Sequence, residues 1–123
     1  MRKIITILCL FLSFTYVNAQ NIASVDVNSS GYAKVYDADN KKIAEGYVGK
    51  PGDDVSYSSC IIVVRNKSGH AKVYSEKLRV KTQGYIGKTG DQFKVSGCRV
   101  IIKNKSGYKK IYNSNLRKIS EGY

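Results

Sequence analysis

An all-β fold of three repeated antiparallel strand units is predicted by three features: internal self-similarity, short β-branched runs and regularly placed turn residues. Self-similarity is the strongest of them. Gly31-Tyr32-Ala33-Lys34-Val35-Tyr36 returns as Gly69-His70-Ala71-Lys72-Val73-Tyr74 and again as Gly107-Tyr108-Lys109-Lys110-Ile111-Tyr112, each time 38 residues further on. Residues 31–68 and 69–106 align without a gap, and 16 of those 38 positions are identical. The period predicts units arranged around an axis, in a barrel-, prism- or flower-like way.

In chain order, residues 1–19 read as an export signal. Arg2 and Lys3 give a positive start, Ile4 to Phe14 an apolar run, and Val17-Asn18-Ala19 small residues before a cut at Gln20. The apolar run is too short to span a bilayer as an anchor. Residues 20–123 then form a single β-repeat domain with units 22–48, 60–86 and 98–123, joined by two longer connections. This places the protein in the periplasm or outside the cell, with no stable membrane anchor.

The first strand of each unit is a β-branched run, as in Ile61-Ile62-Val63-Val64 and Val100-Ile101-Ile102, too short for a buried helix. Asn28-Ser29-Ser30-Gly31, Asn66-Lys67-Ser68-Gly69 and Asn104-Lys105-Ser106-Gly107 supply turns, with glycine free to take positive φ. These triplets also fit the N-glycosylation pattern, but the signal is bacterial in style and the turn reading is preferred. The second strand alternates, Ala33 and Val35 to one side and Tyr32, Lys34 and Tyr36 to the other. After a polar turn, a third strand runs through Ile43 to Val48, Val80 to Ile86 and Lys118 to Tyr123. The glycine recurring inside it (Gly46, Gly84, Gly122) is expected to mark a bulge or a close backbone approach.

Lys34-Val35-Tyr36-Asp37 followed by Lys41-Lys42-Ile43-Ala44-Glu45-Gly46-Tyr47 resembles the tyrosine–turn–isoleucine–glycine hairpin of the β-flower proteins. These are small exported bacterial proteins built of repeated hairpins around a central axis. The resemblance covers about a dozen residues per unit and implies an architecture; it implies no activity and no site residue.

Charge is unevenly placed. Residues 20–68 hold six basic and six acidic side chains, whereas residues 69–123 hold thirteen basic and three acidic ones. The excess points either to an anionic partner for the second half or to a solvated basic surface. Cys60 and Cys98 are 38 residues apart, at one place in successive units, with Ile22 in the third equivalent slot. Units related by rotation bring such positions together near the axis, so a disulfide is expected in an oxidising compartment. Two unpaired buried thiols are the alternative.

Catalytic and metal chemistry find little support. Gly87-Lys88-Thr89-Gly90-Asp91 lacks the upstream glycine of a phosphate loop, and its sister Gly49-Lys50-Pro51-Gly52-Asp53 has proline where a magnesium-binding hydroxyl is needed, so both read as turns. His70, the only histidine, stands where Tyr32 and Tyr108 stand in the other units. The cysteines and His70 match no zinc spacing. No enzyme activity, cofactor, metal or nucleic-acid partner is expected.

The tyrosines carry the functional expectation. The outward row Tyr32-Lys34-Tyr36, repeated as His70-Lys72-Tyr74 and Tyr108-Lys110-Tyr112, interleaves rings with cations. Such a face grips sugars, polyanions or another protein, although Tyr and Lys pairs also simply make good sheet. Tyr32, Lys34, Tyr36, Lys72, Tyr74, Tyr108, Lys110 and Tyr112 are therefore the candidate ligand-binding residues. The leading expectation is non-catalytic binding of an anionic or glycan ligand, such as an acidic polysaccharide. The alternatives are a structural or assembly subunit of the cell envelope, with an envelope protein as partner, and an inhibitor of an envelope enzyme.

Overall fold

Ile62-Val63-Val64 has no polar side to turn to water, so the sheet holding it must be covered on both faces. The computed structural model describes residues 22–88 and 90–123. The export signal read in residues 1–19 lies outside them. The described residues form three antiparallel meander sheets. Sheet 1 contains β1 (Ser24–Val27), β2 (Tyr32–Tyr36) and β3 (Lys42–Tyr47); sheet 2 contains β4 (Asp54–Tyr57), β5 (Ile62–Arg65), β6 (His70–Tyr74) and β7 (Val80–Tyr85). Sheet 3 contains β8 (Gln92–Ser96), β9 (Arg99–Lys103), β10 (Lys109–Tyr112) and β11 (Lys118–Gly122).

The three units are as expected, but the connections between them are shorter than the sequence reading made them. Each ends in a further strand, β4 or β8, which pairs with the strand that follows. Val55-Ser56-Tyr57 and Phe93-Lys94-Val95 were hidden behind the preceding glycine-rich turns and by their brevity. Only residues 48–53 and 86–91 separate the third strand of one unit from the added strand that follows. In each, the aspartate closes the turn by accepting a backbone N–H, Lys50 to Asp53 Oδ2 at 3.0 Å and Lys88 to Asp91 Oδ2 at 2.9 Å.

The sheets stack face to face, with sheet 2 in the middle. Val63, Ala71 and Val73 on its front share one buried cluster with Val95, Val100 and Ile102 of sheet 3. Ile62, Val64 and Tyr74 on its back share another with Ala33 and Val35 of sheet 1. Strand alternation assigns consecutive residues of β5 to opposite clusters, which is why the whole of β5 is buried. Sheets 2 and 3 are closest at β4 and β8, where the Val95 N–H donates to Ser56 Oγ at 2.8 Å. Arg65, 5% exposed, also crosses from sheet 2: its guanidinium lies 4.9 Å from the Phe93 ring centre and donates to the Asp91 carbonyl. Cys60 and Cys98 are joined as a disulfide between successive sheets, with Cα atoms 5.3 Å apart. In the equivalent slot Ile22 is buried, and its N–H donates to the Ser59 carbonyl at 3.3 Å.

Two local features put the sheets in contact. Gly31 and Gly69, the first residue of each motif, take φ near +91° and +92°, and a Cβ on either would run into the backbone carbonyl of Gly49 or Gly87. Those closures are completed by the Val48 and Ile86 N–H groups, which donate to the Gly31 and Gly69 carbonyls at 3.0 Å each. The turns between second and third strands end in Asn40, Leu78 and Leu116, all at positive φ of 63°, 59° and 59°. Asparagine tolerates that conformation; leucine does so at a cost. Leu78 and Leu116 offset it by packing on the cluster shared with the preceding sheet.

Of the bulge or close backbone approach expected at the strand glycines, a bulge is present but lies elsewhere. The register slips between Val35 and Tyr36, and likewise at Val73/Tyr74 and Ile111/Tyr112, so Ile43, Lys81 and Ile119 are the extra residues. Gly46 and Gly122 have open space around them.

Val63 and Ile101 occupy the same place in successive units, yet Val63 is fully buried between sheets and Ile101 lies on the outer face of sheet 3. Val63→Ala should therefore lower stability by about 2–3 kcal/mol, and Ile101→Ala by less than about 1 kcal/mol. Urea unfolding of the two variants measures the difference; equal losses would contradict the stack.

Candidate functional site

Tyrosine is half apolar ring and half hydroxyl, so it packs well only where one side is covered. The expected row of tyrosines and lysines meets that condition unevenly. The three rows do not share one face: each lies on the back of its own sheet, turned toward the preceding sheet. Only the first, Tyr32-Lys34-Tyr36, has no sheet in front of it.

Position along the strand divides the row into three roles. At the inner end Tyr74 is buried, 6% exposed, and its hydroxyl donates to the Val48 carbonyl at 3.1 Å. Tyr74 is thus a core residue and not part of an open face, because it belongs to the buried cluster between sheets 1 and 2. Tyr112 packs partly buried on the cluster between sheets 2 and 3, and Tyr36 is half-buried at the same place in sheet 1. In the middle Lys34, Lys72 and Lys110 are exposed. At the outer end stand Tyr32, His70 and Tyr108.

Each outer ring meets a second ring on the neighbouring strand, edge to face. Tyr32 and Tyr47 have centres 4.9 Å apart, His70 and Tyr85 4.9 Å, and Tyr108 and Tyr123 5.0 Å. The second ring is the exposed one: Tyr47 is 73% exposed, Tyr85 72% and Tyr123 88%. A carboxyl or amide group completes each cluster. Tyr32 and Tyr108 hydrogen-bond to Glu45 and Glu121, while His70 Nε2 lies 3.0 Å from Gln83 Oε1. Lys42 and Lys118 hold the two glutamates at 2.8 Å. These ammonium groups, and then the phenols, push both carboxyls below their usual range. The same bonds raise the pKa of Tyr32 and Tyr108.

Tyr47, Tyr85 and Tyr123 were missed by sequence reasoning. Their signal was present, as Glu45-Gly46-Tyr47, Gln83-Gly84-Tyr85 and Glu121-Gly122-Tyr123 recur at the repeat period. It was weighed for its glycine and not for its ring.

The second and third clusters stand beside clefts between sheets. One, of about 170 Å³, is lined by Gly49, Lys50, Asn66, His70 and Lys72 among others. The other, of about 770 Å³, is lined by Lys88, Lys105, Tyr108, Lys110 and Glu121 with the Gly87 turn. Three ammonium groups face it, while Asp91 is engaged by its turn and Glu121 by Lys118. It is a positively charged groove with an aromatic mouth. It can hold an anion and stack a flat apolar surface; nothing in it pairs a nucleophile with a base. Among the described residues, no group of three His, Cys, Asp or Glu side chains is placed to hold a metal ion.

No protein-family model matches the chain, and no curated protein matches it by sequence. Solved structures share the arrangement. The crystal structure of BamB from Moraxella catarrhalis, a β-propeller, superposes with a TM-score of 0.51 at 13% identity over 80% of this chain and 31% of that one. The chain thus spans under a third of the BamB chain that it matches. The likeness is one of fold: three antiparallel sheets of three or four strands, resembling propeller blades.

Two outcomes test the division of the row. Tyr74→Ala should lower stability by about 3–5 kcal/mol, the range for an aromatic removed from a core, and Tyr85→Ala by no more than about 0.5 kcal/mol, as read by thermal or urea unfolding. The second concerns acid. A carboxyl depressed in the folded state stabilises fully above its ordinary value of 4.5 and loses that contribution as pH falls through the lower folded value. The Tyr108–Tyr123 ring signals should therefore hold steady down to that value and shift only below it. Glu121→Gln should abolish the step, and the Gln83 cluster should show none in that window.

Proposed function

We propose that this protein is an exported, non-catalytic binding module for an acidic glycan, held by the repeated tyrosine clusters and the lysines beside them. One observation carries the reading. Three clusters of the same plan place an exposed ring, a supporting ring and a carboxyl or amide group at matching positions of three sheets. Rings more than 70% exposed on the outer strands bury too little surface to be explained by stability. A sugar ring stacks on such a platform, while the neighbouring side chains bond its hydroxyls.

Charge favours an acidic polymer over a neutral one. Lys34, Lys72 and Lys110 lie one step inward of the ring pairs, and the larger cleft adds Lys88 and Lys105. The phosphate-loop-like turn contributes its lysine side chain and no phosphate cradle. Export agrees with this reading, since acidic polysaccharides are met outside the cytoplasm. The β-flower resemblance of the Tyr36–Gly46 hairpin is retained here only as a suggestion of kinship.

A soluble polyuronate serves as the probe. Binding measured by calorimetry should weaken steeply as salt is raised. Lys110→Ala and Lys72→Ala should weaken it by about three- to tenfold. Lys34→Ala should do less, because no sheet stands in front of it to complete a cleft. Tyr85→Ala and Tyr123→Ala should weaken binding by a similar factor with the salt slope unchanged, since stacking is not a charge effect. Equal, small losses at all three lysines would reject the reading in favour of a merely solvated basic surface.

A further inference from the structure

The two ends of the stack are unlike, and the difference is legible position by position. Among the described residues, nothing covers the back face of sheet 1. There Ser24 and Asp26 stand where sheets 2 and 3 have Ile62 and Val100, and Val64 and Ile102. Among the described residues, nothing covers the front face of sheet 3. Ile101 and Ile111 there are the repeat equivalents of Val63 and Val73, which are both fully buried in sheet 2. Lys109 replaces Ala71, Arg99 replaces Ile61, Lys94 replaces Ser56 and Lys103 replaces Arg65. The register places Lys94, Ile101 and Ile111 in one row and Lys103 beside Lys109 in the next. A depression of about 690 Å³ is lined by these five residues together with Asp54, Val55 and Arg65 of sheet 2 and Asp91, Gln92 and Phe93.

We propose that the free face of sheet 3 in one copy docks on the free face of sheet 1 in a second copy, continuing the stack head to tail. Three observations name the occupant. The chain already buries this front face twice against this back face, in the two clusters that hold its core, so a third such contact continues an interface that exists. Next, the substituted charges are opposite in sign where the two faces would meet. Ala71 and Ile102 belong to one buried cluster, Ala33 and Val64 to the other; at the free ends those two places are Lys109 and Asp26. Lastly, residues 22–48 carry three basic and four acidic side chains, and residues 92–123 carry eight basic and one acidic. The ends therefore attract in a head-to-tail arrangement, whereas two sheet 3 faces would set four cations against four.

Such a contact is heterologous, so copies add in one direction and close into a ring or extend as a filament according to the rotation per sheet. Both products are larger than a monomer. The contact needs no glycan, and the Lys34 comparison in the ligand test applies to the unassociated protein, in which no second copy covers sheet 1.

Sedimentation equilibrium of the purified protein, without ligand, is the test. The expected result is association that rises with protein concentration and weakens with salt. Asp26 and Lys109 are both exposed, so charge reversal at either leaves folding intact. Asp26→Lys and Lys109→Glu should each weaken association by about tenfold or more. The double variant, which restores opposite charges across the contact, should recover to within about threefold of the parent. A monomer at every concentration would overturn the proposal. So would association indifferent to either reversal, or a double variant weaker than both single ones.

Discussion

Everything in this protein depends on burying the two faces of β5. Ile61, Ile62, Val63 and Val64 are all closed to solvent, and alternate residues belong to the front and back clusters. No single sheet can do this by itself. A lone unit of about 38 residues would leave a face of isoleucine and valine in water, and chains that small seldom hold together without help. Stacking supplies the missing cover, and it does so with the same residues each time, because each unit carries both the surface and its complement. The middle sheet therefore has the most to lose from substitution and the outer two share its stability.

The remaining features set how the sheets meet. Gly31 and Gly69 let the start of one motif lie against the connection that leaves it, fixing the height of the following sheet. Leu78 and Leu116 hold a backbone conformation that leucine disfavours, in exchange for a contact reaching back to the previous sheet. In sheet 1, with no described sheet behind it, the position is Asn40, which tolerates that conformation better than leucine does. The substitution follows the packing: where there is nothing to reach, the strained leucine disappears. The disulfide fastens sheets 2 and 3 near their inner strands, and at the equivalent place sheets 1 and 2 make do with buried Ile22.

Much of the fold was legible because the repeat states the same instructions three times. The Asn-x-Ser-Gly turns were read correctly: Asn28, Asn66 and Asn104 each accept backbone N–H bonds from residues two and four ahead. The pairing of Cys60 with Cys98 was expected from equivalence together with an oxidising compartment, and the burial of Ile22 from equivalence. Strands β4 and β8 escaped notice, since four or five residues after a Gly-Lys-x-Gly-Asp turn give too short an alternation to separate from a loop. The site was legible in part. Period two assigns Tyr32, Lys34 and Tyr36 to one side of a strand, but says nothing of how closely a neighbouring sheet approaches each equivalent position. That distance is a tertiary quantity, and it is what turned Tyr74 from a surface ring into a core one.

The same distance explains why structure and recognition coexist in one short motif. Sheets that meet closely at their inner strands leave room between their outer ones. A ring at the inner end is drawn into the core and gives up its face, as Tyr74 does with its hydroxyl on the Val48 carbonyl. At the other end of the strand His70 is only half-buried; it meets Tyr85 edge to face and lies 3.0 Å from Gln83 Oε1, and it is the Tyr85 ring whose face remains open. Lysine between them suits the transition, its stem lying along the apolar sheet and its ammonium group reaching the cleft mouth. Splaying thus sorts an alternating strand into an anchor, a charge and a platform. The repeat then multiplies the platform at no further cost in core residues, because the residues that build the stack and those left free for a ligand are different positions of the same strands.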